Sequence, residues 1–590
     1  MDSHTAERPA VATREDHGFG TVVAPHEQAV RAGTAMYERG GNAVDAAVAA
    51  ALVSGVIEPV ETTLAGCGFA VLAEDGAEPV EIDFGPKAPF GASPTMFELE
   101  EQEEGAQASV LGLAAVAGNA NVDGPLASGV PRTLLGLLTT HARFGHLPRA
   151  VVLQPAIEAA HTGFAPDAWF ITSALGDIER LRSDPVAREV FLDGRGLPKG
   201  AGTEAGYGQS FAAYPMLAQP LLGRTLEAVA HAGPDVLVDG EIADGLVQTS
   251  RQRGGLLTPR DLRAAEPVVR AARRLRYRGA TVAAPHAPSG GLTELQALNV
   301  WQRVRPGACL PTASGADLRS LALTLRHAFA DRYHWLGDPA AREVPVEELL
   351  SDAYADELAK QVAEGSDVPG WREGAPWLTY ASRAAHDPRA AGSEPRSTRT
   401  WAPAGVSRPT SGTTHISAAD AQGRVVSITH TAANHFGSGI VCPRTGLLLD
   451  SAMAWFNAAP GAANSIDSGA RALANMGPVV VLGDDGTKSA VGASGGRRIM
   501  SAVTQLVIAL VDGGSSAGEA LAVPRIDASG RSLVVPGSLR ELIGDLGDLD
   551  PFVPAHSNDP FPMDFSRPNI ARSLGGGRTE SAILASHYNL

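Results

Sequence analysis

Apolar positions near the N-terminus recur at helical spacing. The stretch "EQAVRAGTAMYERGG" is rich in helix formers and stops at Gly40 and Gly41, a C-terminal signal. Asn42 can cap a second helix, in which Val44, Val48 and Leu52 fall on one face at i, i+4 and i+8. Its run, "AVDAAVAAALVSGVIEPV", is dominated by alanine and broken by Asp45, Ser54 and Gly55. It reads as a buried helix, too short and too weakly apolar to span a bilayer. "GFAVLAE" and "PVEIDF" then read as strands joined by a turn at Asp75 and Gly76. From about 129 to 370, amphipathic segments such as "TLLGLLTTHARFG" and "LRSLALTLRHAFADRYHWLG" predict a mainly α region. Over about 379–412 large aliphatics become few and Arg, Ser, Pro and Gly many, so burial cannot offset the entropy of ordering. That segment reads as a linker or mobile flap. After Gly412 the pattern becomes strand-rich, with "THISAAD", "RVVSITHT", "PVVVLG" and "KSAVGA" ahead of the helix "RRIMSAVTQLVIALVDGG".

The length of 590 residues allows two to four domain-sized units. A formal charge of −17, with 48 basic against 65 acidic residues, argues against nucleic acid and against an anionic membrane as partners, since both need clustered Lys and Arg. The N-terminal stretch lacks the basic and apolar regions of a signal peptide, so a cytoplasmic location is expected. Cys67, Cys309 and Cys442 stand apart with no CxxC spacing, which suggests neither a disulfide framework nor a structural metal site.

The doubled threonine in "SGTTHIS" raises a chemical question. If "THISAADAQGRVVSITHT" forms a hairpin centred on Gln422, antiparallel pairing sets Thr413 beside Thr431. A threonine hydroxyl is a weak nucleophile until a base takes its proton. Its own α-amine, with a pKa of about 8, becomes such a base only when freed from a peptide bond. That requires cleavage between Gly412 and Thr413, for which a small residue at 412 leaves room. In "GASGGRRIM", Gly495 and Gly496 precede a helix and could bring backbone N–H groups to a developing oxyanion. A plain turn before a helix is the other reading of that pair.

In combination these residues resemble the γ-glutamyltransferases, N-terminal nucleophile hydrolases that cut themselves into two subunits. The resemblance runs from about 20 to 528 and rests on "GGNAVDAAVAAAL" (40–52), "GVPRTLLGL" (129–137), "PSGGLTELQALNV" (288–300), "FADRYHWLGDP" (329–339), "TTHIS" (413–417), "FGSGIVCPRTGLLLD" (436–450) and "GASGGRRIM" (492–500). It implies an αββα sandwich with a helical large-subunit portion, a large subunit 1–412 and a small subunit 413–590 from one precursor. It also implies Thr413 as nucleophile, Thr431 assisting its amine, Gly495 and Gly496 as the oxyanion hole, a small-molecule substrate, and no metal or organic cofactor.

The charged groups that hold a glutamyl substrate in that family are missing. Gly85 stands where the family has an arginine, Trp455 where it has an aspartate, Ala452 in place of a polar neighbour, Ala474 and Asn475 in place of paired serines, and Ala433 in place of an asparagine. Losing a desolvated charge pair to a substrate commonly costs roughly 2–5 kcal/mol. A γ-glutamyl amide should therefore bind badly. Replacement recognition groups are sought at Arg132, Arg497, Trp455, Asn475 and Asn434, with Lys87, His430 and His435 also near the motifs. An arginine can grip a carboxylate bidentately, and Trp455 can stack on a flat ring. The expected enzyme acts on a non-glutamyl acyl group, with C–C hydrolysis of an oxalyl-type unit from a pyrroline dicarboxylate in antibiotic biosynthesis as its favoured specific form. The competing expectations are γ-glutamyl hydrolysis or transfer on glutathione, and an unprocessed scaffold without activity.

Overall fold

The computed structural model describes residues 11–100, 114–201, 216–365, 367–368, 371, 412–554 and 565–584. Of the 379–412 linker or flap, only Gly412 is among them.

Two helices follow the early pattern closely. Glu27–Glu38 ends just before Gly40, which adopts φ +80°. Asn42 caps Ala43–Ile57 in a reciprocal box with Asp45. Every residue of this second helix is buried, so the one-faced reading of Val44, Val48 and Leu52 was too narrow. Alanine is what permits burial all round, because its small side chain lets neighbouring elements approach on every side.

Two antiparallel sheets stack at the centre. One runs Gly20–Val23, Thr414–Asp420, Val425–Thr431, Cys67–Ala73, Val80–Phe84, Val268–Ala271 in spatial order. The other runs Val11–His17, Arg578–Leu584, Arg567–Gly575, Lys488–Ser494, Val479–Gly483, Ala280–Ala284, Arg273–Tyr277. An apolar cluster including Val71, Ala419, Val425, Val480 and Ala490 lies between them. Polar bonds also cross the gap, from Ser427 Oγ to the Val491 carbonyl (2.9 Å) and from Asn569 Nδ2 to the His415 carbonyl (2.7 Å). Helices cover both outer faces: Ala43–Ile57 and its neighbours pack on the first sheet, Gly291–Val304 and Arg498–Val511 pack on the second, and Gly315–Trp335 lies against Gly291–Val304. The layering is the expected αββα sandwich, and no helix among the described residues is long and apolar enough to cross a membrane.

The mainly α expectation for 129–370 holds for Thr133–Phe144 and Gly315–Trp335, but it misses three strands between Val268 and Ala284. Their segment, "VVRAARRLRYRGATVAA", is crowded with arginine, and its first strands sit at sheet edges where exposed cations are tolerated.

Close stacking leaves no room at Gly492, where a Cβ would lie 2.2 Å from the His415 ring. Gly492→Ala should therefore lower stability by about 1–3 kcal/mol, read as a shift in the chemical denaturation midpoint. An unchanged midpoint would contradict the stacking of these two strands.

Candidate active site

The hairpin forms with the predicted register. Thr414 pairs with His430, His415 with Thr429 and Ile416 with Ile428, so the same ladder sets Thr413 opposite Thr431 at its open end. The other end closes at a turn in which Gly423 has φ +87°. On its far side Val425–Thr431 pairs with Cys67–Ala73, and Cys67 is the partner of Thr431. Three strands thus hold the pair in place, and both threonines are buried.

The peptide bond between Gly412 and Thr413 lies inside a cage of hydrogen bonds. Thr413 Oγ donates to the Gly412 carbonyl oxygen (2.7 Å) and lies 3.4 Å from Thr431 Oγ. The Thr431 hydroxyl donates to the same carbonyl oxygen, and itself accepts the Ala433 N–H (2.7 Å). That second bond makes Thr431 the donor toward Gly412 and polarises the carbonyl. Gly412 is required on steric grounds, since a Cβ there would lie 2.3 Å from the Val60 carbonyl oxygen and 2.8 Å from Glu61 Cα.

On the other side of the bond, Thr413 N–H donates to Glu61 Oε2 (2.8 Å). The remaining oxygen of that carboxylate, Oε1, accepts from Trp169 Nε1 (2.9 Å) and Arg567 Nη2 (2.7 Å). Glu58, one turn earlier, accepts from Thr414 Oγ (3.1 Å), and burial pushes its carboxyl up to about 8. The sequence reading did not single out Glu58, Glu61, Trp169 or Arg567. Two glutamates in the otherwise apolar "VIEPVETTLAG" were the available signal for the first two.

Gly495 and Gly496 form the turn between Lys488–Ser494 and the helix Arg498–Val511, with φ of +131° and +63° that other residues rarely adopt. Ser494 pairs with Arg567, so this turn shares its end of the sheet with the arginine that reaches Glu61.

Several of the residues singled out in the sequence converge on one apolar cluster. Ala433, Ala452, Trp455 and Ala474 are all buried in it, together with Cys67 and Phe69. Gly85 adjoins the same wall, where a Cβ would lie 2.4 Å from the Phe69 ring. The cluster starts beside the paired threonines, because Cys67 is the ladder partner of Thr431 and Ala433 lies two residues beyond it. Asn475, at its rim, is held by Arg332, whose Nη2 donates to Asn475 Oδ1 (3.0 Å) and to the Ala474 carbonyl (2.7 Å). Asn434 Nδ2 donates to Ser451 Oγ (2.9 Å) on the loop leading to Trp455.

Arg132 requires a correction. It is buried, and its guanidinium donates to the carbonyls of Asp83 (3.0 Å), Gly85 (2.7 Å), Ala265 (3.1 Å) and Glu266 (3.1 Å), with the Asp83 carboxylate 3.6 Å away. Backbone oxygens and a buried anion, not a ligand, take its donors, so it is a strut between segments. Arg497 caps the helix Arg498–Val511 and lies within 3.2 Å of the space a Cβ on Gly530 would fill. Lys87 donates to the Ala264 carbonyl (2.8 Å). His435 packs edge-on against Trp169 with ring centroids 5.4 Å apart. His430 Nδ1 bonds Thr62 Oγ (2.7 Å), and burial lowers its pKa to about 3.

A layered αββα fold with a threonine leading a central strand is that of the N-terminal nucleophile hydrolases. Within that class the chain belongs to the gamma-glutamyltranspeptidase family, whose sequence pattern it matches over residues 29–535. It is 32% identical to a glutathione hydrolase proenzyme of Pseudomonas aeruginosa over 520 residues, covering 86% of this chain and 82% of that one. It is also 32% identical to an acylase ACY 1 proenzyme of Pseudomonas sp. strain SE83 over 541 residues, covering 91% and 86%. Among solved structures, a cephalosporin acylase from Bacillus halodurans superposes with a TM-score of 0.75 at 22% identity, covering 98% and 96% of the two chains. LmbA superposes with 0.74 at 24% identity, covering 98% of each. These last two likenesses concern the fold. The chain is therefore an enzyme, a hydrolase or acyltransferase of this family.

The depressed pKa of His430 has a thermodynamic consequence. Between its folded value of about 3 and its ordinary 6.5, the unfolded chain binds a proton that the folded chain does not, so this group's contribution to stability falls as pH drops below 6.5. Glu58 acts in the opposite sense, so the comparison is made by difference. His430→Gln should shrink the loss between pH 6.5 and 5 by roughly 2 kcal/mol relative to the parent, measured by denaturant titration at both pH values. Parallel losses in the two proteins would show that the imidazole titrates normally.

Proposed function

We propose that this protein is a self-processing threonine-nucleophile hydrolase of non-glutamyl acyl groups. The observation that carries the reading is the single carbonyl oxygen of Gly412 receiving both threonine hydroxyls, with the Thr413 N–H held from the opposite side. Attack of Thr413 Oγ on the Gly412 carbonyl carbon, stabilised by the Thr431 hydroxyl, breaks the C–N bond and transfers residues 1–412 to oxygen. Water then releases the ester. The pieces 1–412 and 413–590 are the two subunits, and Thr413 gains a free amine beside its own hydroxyl. In turnover that amine takes the Oγ proton, the oxygen attacks the substrate acyl carbon, Gly495 and Gly496 N–H groups receive the oxyanion, and water frees the acid.

The substrate class follows from the apolar cluster beside the paired threonines. A glutamyl head needs a cation for its carboxylate and an anion for its ammonium, and an apolar wall of Ala433, Ala452, Trp455 and Ala474 offers neither. An acyl group with an apolar or aromatic body fits it better, with Asn475 as the oriented polar contact and Trp455 as a stacking face. Asn434 and Arg497 complete the proposed binding set. The oxalyl form of the reaction would follow the same course, with the ketone carbon attacked, the ring carbon taking the electron pair and a proton, and oxalate released by water. Its support is the absence of the charged groups that a glutamyl head would need. The competing γ-glutamyl reading is favoured by the 32% identical relative named as a glutathione hydrolase.

Expression of Thr413→Ala should give a single band at 60.9 kDa on a denaturing gel and at least about a thousandfold loss of activity. Turnover by that variant would refute the nucleophile. With purified wild type, kcat/KM on glutathione should be at least about thirtyfold below that on phenylacetyl or similar aryl-acyl amides, which corresponds to about 2 kcal/mol of lost clamp. The reverse order would favour the γ-glutamyl reading.

A further inference from the structure

Glu61 belongs to none of the groups assigned above, yet it is the side chain that touches the Thr413 nitrogen. Its two oxygens are divided. Oε1 is occupied by Trp169 Nε1 and Arg567 Nη2, and Oε2 is left for Thr413. The glutamate is almost wholly buried. Its backbone is fixed too, since its carbonyl accepts the Ala432 N–H (3.2 Å) and Gly412 packs against its Cα. Trp169 stands between two parts of the arrangement, with the Arg567 guanidinium 5.6 Å from its ring centre and His435 on its edge. A carboxylate held this firmly, and aimed at one atom, is built to act on that atom.

We propose that Glu61 is the positioning residue of the Thr413 α-amine, a role that rests on the processed-threonine reading above. In the uncut chain the carboxylate accepts the amide N–H. After cleavage the same nitrogen is an amine, and Glu61 accepts one of its N–H groups, which turns the lone pair toward Oγ. When the amine takes the Oγ proton it becomes an ammonium, and the carboxylate beside it stabilises the charge that appears. The logic is that of the aspartate behind the histidine of a serine hydrolase, which orients a base and steadies its cation without taking the proton itself. Arg567 sets the strength of the effect. By neutralising much of the Glu61 charge it keeps the amine from being locked as ammonium at neutral pH, where it must be a base.

Among the described residues, Glu58, Asp167, His430 and His435 are titratable groups near this pair. Glu58 lies one turn away with its carboxyl raised to about 8, so it is mostly uncharged at neutral pH. Asp167 caps the helix that carries Trp169. His430 is neutral above a pKa of about 3, and His435 faces Trp169. Glu61, which bonds the nitrogen, and Arg567, which bonds Glu61, pull its basicity in opposite directions.

The test reads the amine directly and needs no substrate. Full-length protein is purified, and intact mass first establishes whether the smaller piece begins at Thr413. Absence of that terminus in the wild type refutes the processing reading, not the role of Glu61 within it. On processed protein, trace acetylation by isotopically labelled acetic anhydride from pH 5 to 10, quantified on the N-terminal peptide, gives the pKa of the Thr413 amine. Glu61→Gln should lower it by about one unit and Arg567→Gln should raise it by about one unit, opposite shifts that loss of packing would not produce. Unmoved values, or two shifts of the same sign, overturn the proposal. Should Glu61→Gln remain uncut, the rise in Arg567→Gln decides alone. If neither variant is cut, the wild-type value decides: a buried amine without a carboxylate partner falls well below the ordinary range of about 7.7 to 8, so a pKa under about 6 overturns the proposal and a higher one supports it.

Discussion

The arrangement depends on one antiparallel register. Because the ladder of the Thr414–Asp420 and Val425–Thr431 strands is fixed with Thr414 opposite His430, the residue before the first strand must face the last residue of the second. A slip of one residue would turn every side chain to the other face of the sheet and would separate the two hydroxyls. The register is held from both sides, by the close turn at Gly423 and by the pairing of Cys67–Ala73 along the opposite edge. Side-chain bonds between the stacked sheets add to it. The hydrogen-bond cage around the Gly412 carbonyl is a consequence of sheet geometry before it is a property of any single residue.

Much of this was legible in the sequence because it is local. A hairpin with a glycine turn between two β-branched runs fixes its own pairing, and the two early helices carry their caps within a few residues. The apolar cluster beside the threonines was half legible. The motifs single out Ala433, Ala452, Trp455 and Ala474 one by one, but only the fold brings them into one cluster with Phe69 and Cys67. Arg132 shows the limit from the other side. An arginine in a motif suggests a ligand for a carboxylate, and burial among carbonyl oxygens makes it a strut.

The Glu61 arrangement was not legible, since its parts are 352 and 506 positions apart from Thr413 and Arg567 respectively. The same holds for the outer strands of the second sheet, where the N-terminal Val11–His17 pairs with Arg578–Leu584 at the far end of the chain. Such pairings leave little trace in hydrophobic periodicity, because an edge strand with one covered face tolerates charges on the other. Two glutamates in "VIEPVETTLAG" were the one sequence signal, and their surroundings differ. Glu58 is pushed toward neutrality, whereas Glu61 has Arg567 beside it. Divergent environments for adjacent acids are a frequent mark of a working site.

The account stands most directly on what is attached to residue 413 during turnover. Purified enzyme quenched in acid while consuming an aryl-acyl amide should yield a 413–590 polypeptide heavier by one acyl group, with fragmentation placing that mass on the Thr413 side chain. An adduct on another residue, or an uncut chain that remains fully active, would contradict it.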